Sequence, residues 1–167
     1  AYILKLNTTD AQELTSSGGI ADVNGSTFDV GGVFANNTGE TFVAYLFGHN
    51  EAEYGTGSDE AIIKCGSFTG NGNDNGPEID LGFEPQFYLF KKIGGTGGWF
   101  IYDSMRGLTA EGSSNQYISA NYDYGDQASD RIEITSTGIK VHDSNDTWNE
   151  NNKKFIYMAI RRPHKPA

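Results

Sequence analysis

Two stretches of this chain, Thr41 to Phe47 and Phe155 to Ile160, are apolar on both of their alternating faces, and each therefore demands cover on both sides. In the first, Phe42, Ala44 and Leu46 fall on one face and Val43, Tyr45 and Phe47 on the other. The two stretches also stand in matching surroundings. Ser26-Thr27-Phe28-Asp29-Val30 and an Asn/Gly loop precede the first, whereas Thr137-Gly138-Ile139-Lys140-Val141 and an Asn-rich loop precede the second. A looser third match sets Ala1-Tyr2-Ile3 against Gln116-Tyr117-Ile118, so three landmarks keep their order at spacings of about 111 to 115 residues. Fixed-period self-similarity marks a modular array, and 167 residues hold about one and a half such modules. The organisation expected is residues 1–50 as the closing half of a preceding repeat, 51–60 as a junction, 61–163 as a complete β-sandwich repeat and 164–167 as the start of a linker. A chain so divided begins within a module and is expected to be part of something longer.

Between the two apolar stretches, further strands are expected at Ala61 to Phe68, Gln86 to Lys92, Gly98 to Asp103, Gln116 to Ala120, Arg131 to Ile134 and Gly138 to His142. Their separators are turn chemistry: Asn71-Gly72, Asn75-Gly76, Gly94-Gly95, Gly97-Gly98 and Gly125-Asp126. Many short strands at regular spacing predict an all-β fold, a two-sheet antiparallel β-sandwich of jelly-roll type. The one helical signal is a short turn at Thr9 to Leu14, with Thr9 as cap and Asp10 and Glu13 in the first turn. Asp103 and Arg106 are spaced to pair across a strand-end turn that Gly107 closes. Cys65, the sole cysteine, excludes an internal disulfide and reads as a small buried hydrophobe.

Acidic residues outnumber basic ones by 22 to 12, and the net charge of -10 repels nucleic acid and acidic lipid surfaces at long range. Neither is expected as a partner. Lys153, Lys154, Arg161, Arg162 and Lys165 gather at the C-terminal end, where they suit a solvated last strand. No run of about 20 apolar residues offers a membrane-spanning helix.

Four phrases in fixed order carry a resemblance: Cys65-Gly66-Ser67-Phe68-Thr69-Gly70-Asn71-Gly72, Leu81-Gly82-Phe83-Glu84-Pro85-Gln86-Phe87, Trp99-Phe100-Ile101-Tyr102-Asp103-Ser104-Met105-Arg106-Gly107 and Ala159-Ile160-Arg161-Arg162-Pro163. Together they resemble a repeat domain of marine bacteriophage virion proteins of the tail-fibre kind. That resemblance implies a lectin-like jelly roll, a place on the virion surface, and partners among neighbouring virion proteins and further copies of the chain, with a homotrimer expected. Such modules serve as adhesins, fibre shafts and capsid decorations alike, so the role follows from the site rather than the fold.

Glu78-Ile79-Asp80-Leu81-Gly82-Phe83-Glu84 resembles the carboxylate signature of jelly-roll glucanases, but six residues of strand put roughly 20 Å between the outer α-carbons. A retaining mechanism needs about 5.5 Å between carboxyls, so no catalytic set is expected. Asn71, Asn73 and Asn75-Gly76 copy the opening of a calcium loop, yet its twelfth position is Gly82 in place of the bidentate Glu. The acidic loops at Asp123 to Asp130 and Asp143 to Asp146 read as solvated, and His49, His142 and His164 have no metal-ligand rhythm, so neither metal nor cofactor is expected. What remains is aromatic surface. Tyr122 and Tyr124, interleaved with Asn121, Asp123 and Asp126, combine flat apolar faces with short hydrogen-bonding groups, the combination that recognises sugars. The expectation is a non-enzymatic adhesin module with its glycan site on that loop. Capsid or fibre scaffolding without sugar binding is the first alternative, a jelly-roll glycoside hydrolase the second.

Overall fold

The computed structural model describes residues 2–14, 19–32, 36–49, 61–110 and 114–162. Short strands open the chain: β1 (Tyr2–Ile3) pairs with β2 (Glu13–Leu14), and β3 (Gly19–Ala21) with β4 (Asp29–Gly31). The main body follows as β5 (Ile63–Thr69), β6 (Glu78–Asp80), β7 (Pro85–Lys92), β8 (Trp99–Asp103), β9 (Asn115–Ser119), β10 (Gln127–Ser129), β11 (Ile132–Thr135), β12 (Gly138–Val141), one helical turn α1 (Asp146–Asn149) and β13 (Lys154–Arg161). A six-stranded sheet runs β10-β9-β8-β7-β13-β5, and a three-stranded sheet runs β11-β12-β6. Every pairing is antiparallel.

The protein is all-β, with the two larger sheets facing each other as a sandwich. The small sheet contributes Ile79, Ile132, Ile134, Ile139 and Val141 to the shared core, and the large sheet contributes Tyr88, Phe90, Phe100, Tyr102, Phe155 and Ala159. Period-two alternation dictates this assignment: in β12, Ile139 and Val141 are fully buried while Lys140 between them is half-buried. Rings dominate the interior, with Phe90 5.5 Å from both Phe100 and Tyr88, and Phe155 stacked on Phe68 at 4.9 Å. Full burial of a Phe side chain stabilises the fold by about 1.5–3 kcal/mol. Gly82 takes a left-handed φ of +73° to turn the chain between β6 and β7, and Pro85 then opens β7, as the residue types require.

One end of the core is closed by α1. Asn145 caps it by accepting from the Thr147 amide at 2.8 Å, and Trp148 stacks on Phe100 at 4.5 Å while its Nε1 donates to Tyr102 Oη at 3.2 Å. Lys92, nearly buried beside this turn, is satisfied by Glu150 Oε2 at 2.7 Å and the Asp146 carbonyl at 3.2 Å. The adjacent Asn149 is fully buried, and its Nδ2 donates to Asn71 Oδ1, Asn73 O and Asp143 O at 2.8 to 2.9 Å.

Several expectations need correction. Thr41 to Phe47 forms no strand and lies largely in solvent, with Val43, Tyr45 and Leu46 at least 70% exposed. Its sequence counterpart β13 is a strand because β5 and β7 flank it on either side, and Thr41 to Phe47 has no such neighbours among the described residues. Residues 9 to 14 hold no helical turn; β2 occupies Glu13–Leu14, and Thr8 Oγ1 accepts from the Asp10 amide instead. The helical turn present, α1, gave no clear signal because it spans only four residues. Cys65 is half-buried on the outer face of the large sheet rather than in the core, and desolvation raises its thiol pKa. The 51–60 junction and the 164–167 linker lie outside the described residues.

Candidate functional site

The loop that carries Tyr122 and Tyr124 joins β9 to β10 at one edge of the large sheet. Its base is fixed by an amide: Asn121 Oδ1 accepts from the Trp99 backbone N–H at 2.7 Å and lies 3.0 Å from Ser119 Oγ. Ser119 Oγ in turn donates to the Trp99 carbonyl at 2.7 Å, so the start of the loop is stitched to the start of β8. Asn121 Nδ2 is sealed from solvent without an acceptor. The side chain therefore holds the loop rather than reaching outward.

Tyr122 and Tyr124 stack on each other with centroids 5.1 Å apart and planes 20° from parallel, and they remain 42% and 38% exposed. The Tyr122 ring also approaches Gly98, where an added Cβ would sit 2.8 Å from its Cε2 atom. Only glycine leaves room for that approach. Burial pushes the Tyr124 phenol up from its ordinary value, with Tyr117 and Tyr122 adding to the effect and Ser119 opposing it. Asp123 is exposed, while Asp126 meets Arg106 Nη1 at 2.7 Å. Arg106 is held by Asp103 at 2.9 Å across the turn that Gly107 closes with φ +101°, the pairing expected from the sequence. The result is a two-ring aromatic shelf with an ion-paired carboxylate and guanidinium from the neighbouring turn. Such a set can stack on an apolar ring face and exchange hydrogen bonds with hydroxyls.

The other aromatics fall elsewhere. Tyr117 is half-buried and packs inward, 5.4 Å from Tyr102 and 5.5 Å from Phe100, beside the buried Trp148. Trp99 is buried on the opposite, outer face of the sheet, where its Nε1 donates to the Lys5 carbonyl at 2.9 Å.

The remaining polar constellations have structural employment. In the calcium-like loop, Asn71 Oδ1 and the Asn73 backbone carbonyl both accept from Asn149 Nδ2, at 2.8 and 2.9 Å. Asp80 Oδ1 caps the Gly82 amide at 2.9 Å and Glu84 pairs with Arg162. Asp143 holds Arg131 at 2.7 Å, and that guanidinium lies 4.3 Å from the Trp148 ring. His142 meets Glu133 at 2.7 Å, His49 accepts from the Cys65 amide at 3.1 Å, and His164 lies outside the described residues. Among the described residues, no group of three His, Cys, Asp or Glu side chains is placed to hold a metal ion, and no helix is long and apolar enough to cross a membrane.

Sequence reasoning missed a groove of about 430 Å³ on the outer face of the large sheet, lined by Phe47, Cys65, Leu89, Trp99, Ile156 and Met158. Register explains it: Cys65, Met158, Leu89, Ile101 and Ile118 stand side by side across five strands, an apolar row on the face opposite the core. The signal was present in the two-sided apolar character of Phe155 to Ile160.

By fold, the protein is thus an antiparallel β-sandwich bearing an aromatic loop at one edge and an apolar groove on its outer face. The chain belongs to the family described as a domain of unknown function (DUF7483), whose profile matches residues 1–163 and so takes in both the N-terminal segment and the sandwich. No curated protein and no solved structure matches it.

Proposed function

We propose that this chain is a non-enzymatic binding module of a phage virion, a lectin-like jelly roll displayed on a fibre or spike, and that it recognises host-surface glycans. The observation that carries this reading is the stacked, exposed Tyr122–Tyr124 pair beside the Asp126–Arg106 ion pair. A flat aromatic surface next to fixed hydrogen-bonding groups is what sugar recognition uses, and a loop on a rigid sheet is where recognition is usually carried. Tyr122, Tyr124, Asp123 and Asp126 are the proposed contact residues, with Asn121 positioning them from below. Homo-oligomerisation, with a trimer as the preferred order, would multiply weak single-site binding through avidity against repeated sugars.

A glycan array probed with the intact protein tests the reading. Binding that is lost on replacing Tyr122 and Tyr124 together by alanine, with the circular dichroism spectrum unchanged, is the expected outcome. An empty array, or full binding by the double variant, defeats the glycan assignment. Scaffolding within the particle is the second reading, favoured by the exposed apolar side chains of Phe42, Val43, Tyr45 and Leu46, which suit contact with another protein.

A further inference from the structure

Residues 42 to 46 form the most exposed apolar run described: Phe42 is 46%, Val43 77%, Tyr45 81% and Leu46 70% accessible, and no charged residue interrupts Thr41 to Phe47. Soluble proteins rarely leave such a run in water unless something covers it. Three observations indicate what does. The next residue in line, Phe47, already forms part of the wall of the outer-face groove in its own chain, and His49 beyond it binds the edge of β5 through the Cys65 amide. The groove is therefore a surface that accepts an aromatic from this very segment.

The segment also shares the two-sided apolar character of β13, and β13 is the strand that packs between β5 and β7, with Phe155 and Ala159 sealed on one face and Ile156 and Met158 forming the groove on the other. A sequence of that type is suited to lie against β5. Finally, β5 is the edge strand of the large sheet among the described residues, the position at which a sheet can pair with further chain.

We infer that residues 42–46 of one copy cover the outer-face groove and β5 edge of a neighbouring copy, and that this contact is the self-association interface of the protein. Every copy carries both halves of the contact, a segment and a groove. The contact is head to tail, and it satisfies every copy only in a closed ring or a reciprocal pair. Phe47 stays with its own groove, and the four exposed side chains before it cross to the neighbour. The chain's net charge of -10 opposes association at long range, while the segment and the groove lining named above carry no charge to resist contact. This inference is independent of sugar binding, and an empty glycan array leaves it standing.

Sedimentation velocity on the intact chain over a wide concentration range, with the Tyr45→Lys/Leu46→Asp double variant in parallel, provides the test. Both side chains are exposed in the single chain, so the variant should retain the wild-type circular dichroism spectrum. The expected result is an oligomer for the wild type, with association weakened about 30-fold or more in the variant. A second arm uses the sole cysteine: Tyr45→Cys, oxidised in a mixture of two differently tagged copies, should yield a disulfide between Cys65 and the introduced thiol that joins the two tags. A wild type monomeric at every concentration, an oligomer indifferent to the double variant, or a disulfide confined to one chain would each overturn the proposal. So would a monomer whose groove instead takes up an apolar dye, since that marks a small-molecule pocket.

Discussion

The segment before residue 50 and the body after residue 60 each carry a stretch that is apolar on both alternating faces, yet the two stretches reach opposite ends of the burial scale. Phe155 is fully buried in a strand flanked on both sides, whereas Phe42 is 46% exposed and has no flanking strand among the described residues. The same kind of residues, in the same alternation, become a central strand in one place and an open segment in the other. What differs is the neighbours. A strand satisfies its N–H and C=O groups only through flanking strands, and its side chains only through cover on the faces, so the sequence of one strand is a demand rather than a structure. The early strands show a milder form of this. β1 to β4 are two or three residues long, and the first fourteen residues are tied to the body by the Lys5 carbonyl on Trp99, Thr9 on Gly97 and Gln12 on Ile93.

The comparison can be broken most forcefully at its paired phenylalanines. Phe155→Ala should cost about 3–5 kcal/mol in urea unfolding, because it empties a site packed by Phe68 and Phe90. Phe42→Ala, measured on dilute protein to avoid self-association, should stay within about 0.5 kcal/mol of wild type. Equal effects would mean that the N-terminal segment is folded into the same core.

A smaller loss is expected at Asn149, whose buried amide secures three oxygens of the surrounding loops. Asn149→Ala should destabilise by about 2–4 kcal/mol, since those acceptors are left without their donor. Hydrogen exchange should then quicken in residues 71–76 while residues 2–14 exchange as before. Exchange that rises in both regions together would argue that they open as one unit.

Alkaline titration separates the regions in another way. Burial holds the Tyr88 and Tyr102 phenols neutral well above the usual tyrosine value of 10.0, whereas the unfolded chain releases those protons. Stability from these groups is therefore complete below pH 10.0 and falls as the pH rises beyond it. Phenolate absorbance at 295 nm should show a late component that coincides with loss of the β-sheet signal. A titration that finishes while the sheet persists would place both rings closer to solvent.

The gentlest probe is Trp99→Phe, which removes the indole N–H bound to Lys5 but keeps an aromatic ring on the sheet. Its cost should be about 1 kcal/mol or less, and the loss of amide protection should concentrate in residues 2–14. A change spread evenly over the sandwich would count against an arm that docks as a separate layer.

Much of the main body was legible in the sequence. Each of the seven strand positions expected from Ala61 onward carries a strand within a residue or two, because alternating apolar residues bounded by Gly and Asn turns leave few other outcomes. β6 and β10 were not foreseen, being three residues each and therefore too short to display a period. At the loop site, the aromatic and acidic composition was visible, and so was the Asp103–Arg106 turn. The use of Asn121 as a tether to Trp99 was not, since those residues are 22 positions apart and meet only through the pairing of β8 with β9.

The sequence by itself determined that this protein is all-β and where the chain must turn, because those properties depend on near neighbours along the chain. Tertiary structure alone decided that Asn149 donates to the Asn71 and Asn73 oxygens, that Cys65 faces an outer groove instead of the core, and that Phe155 is sealed while Phe42 is not. Each of those outcomes depends on which strand lies alongside, and a strand's neighbours are set by long-range pairing that its own residues do not encode.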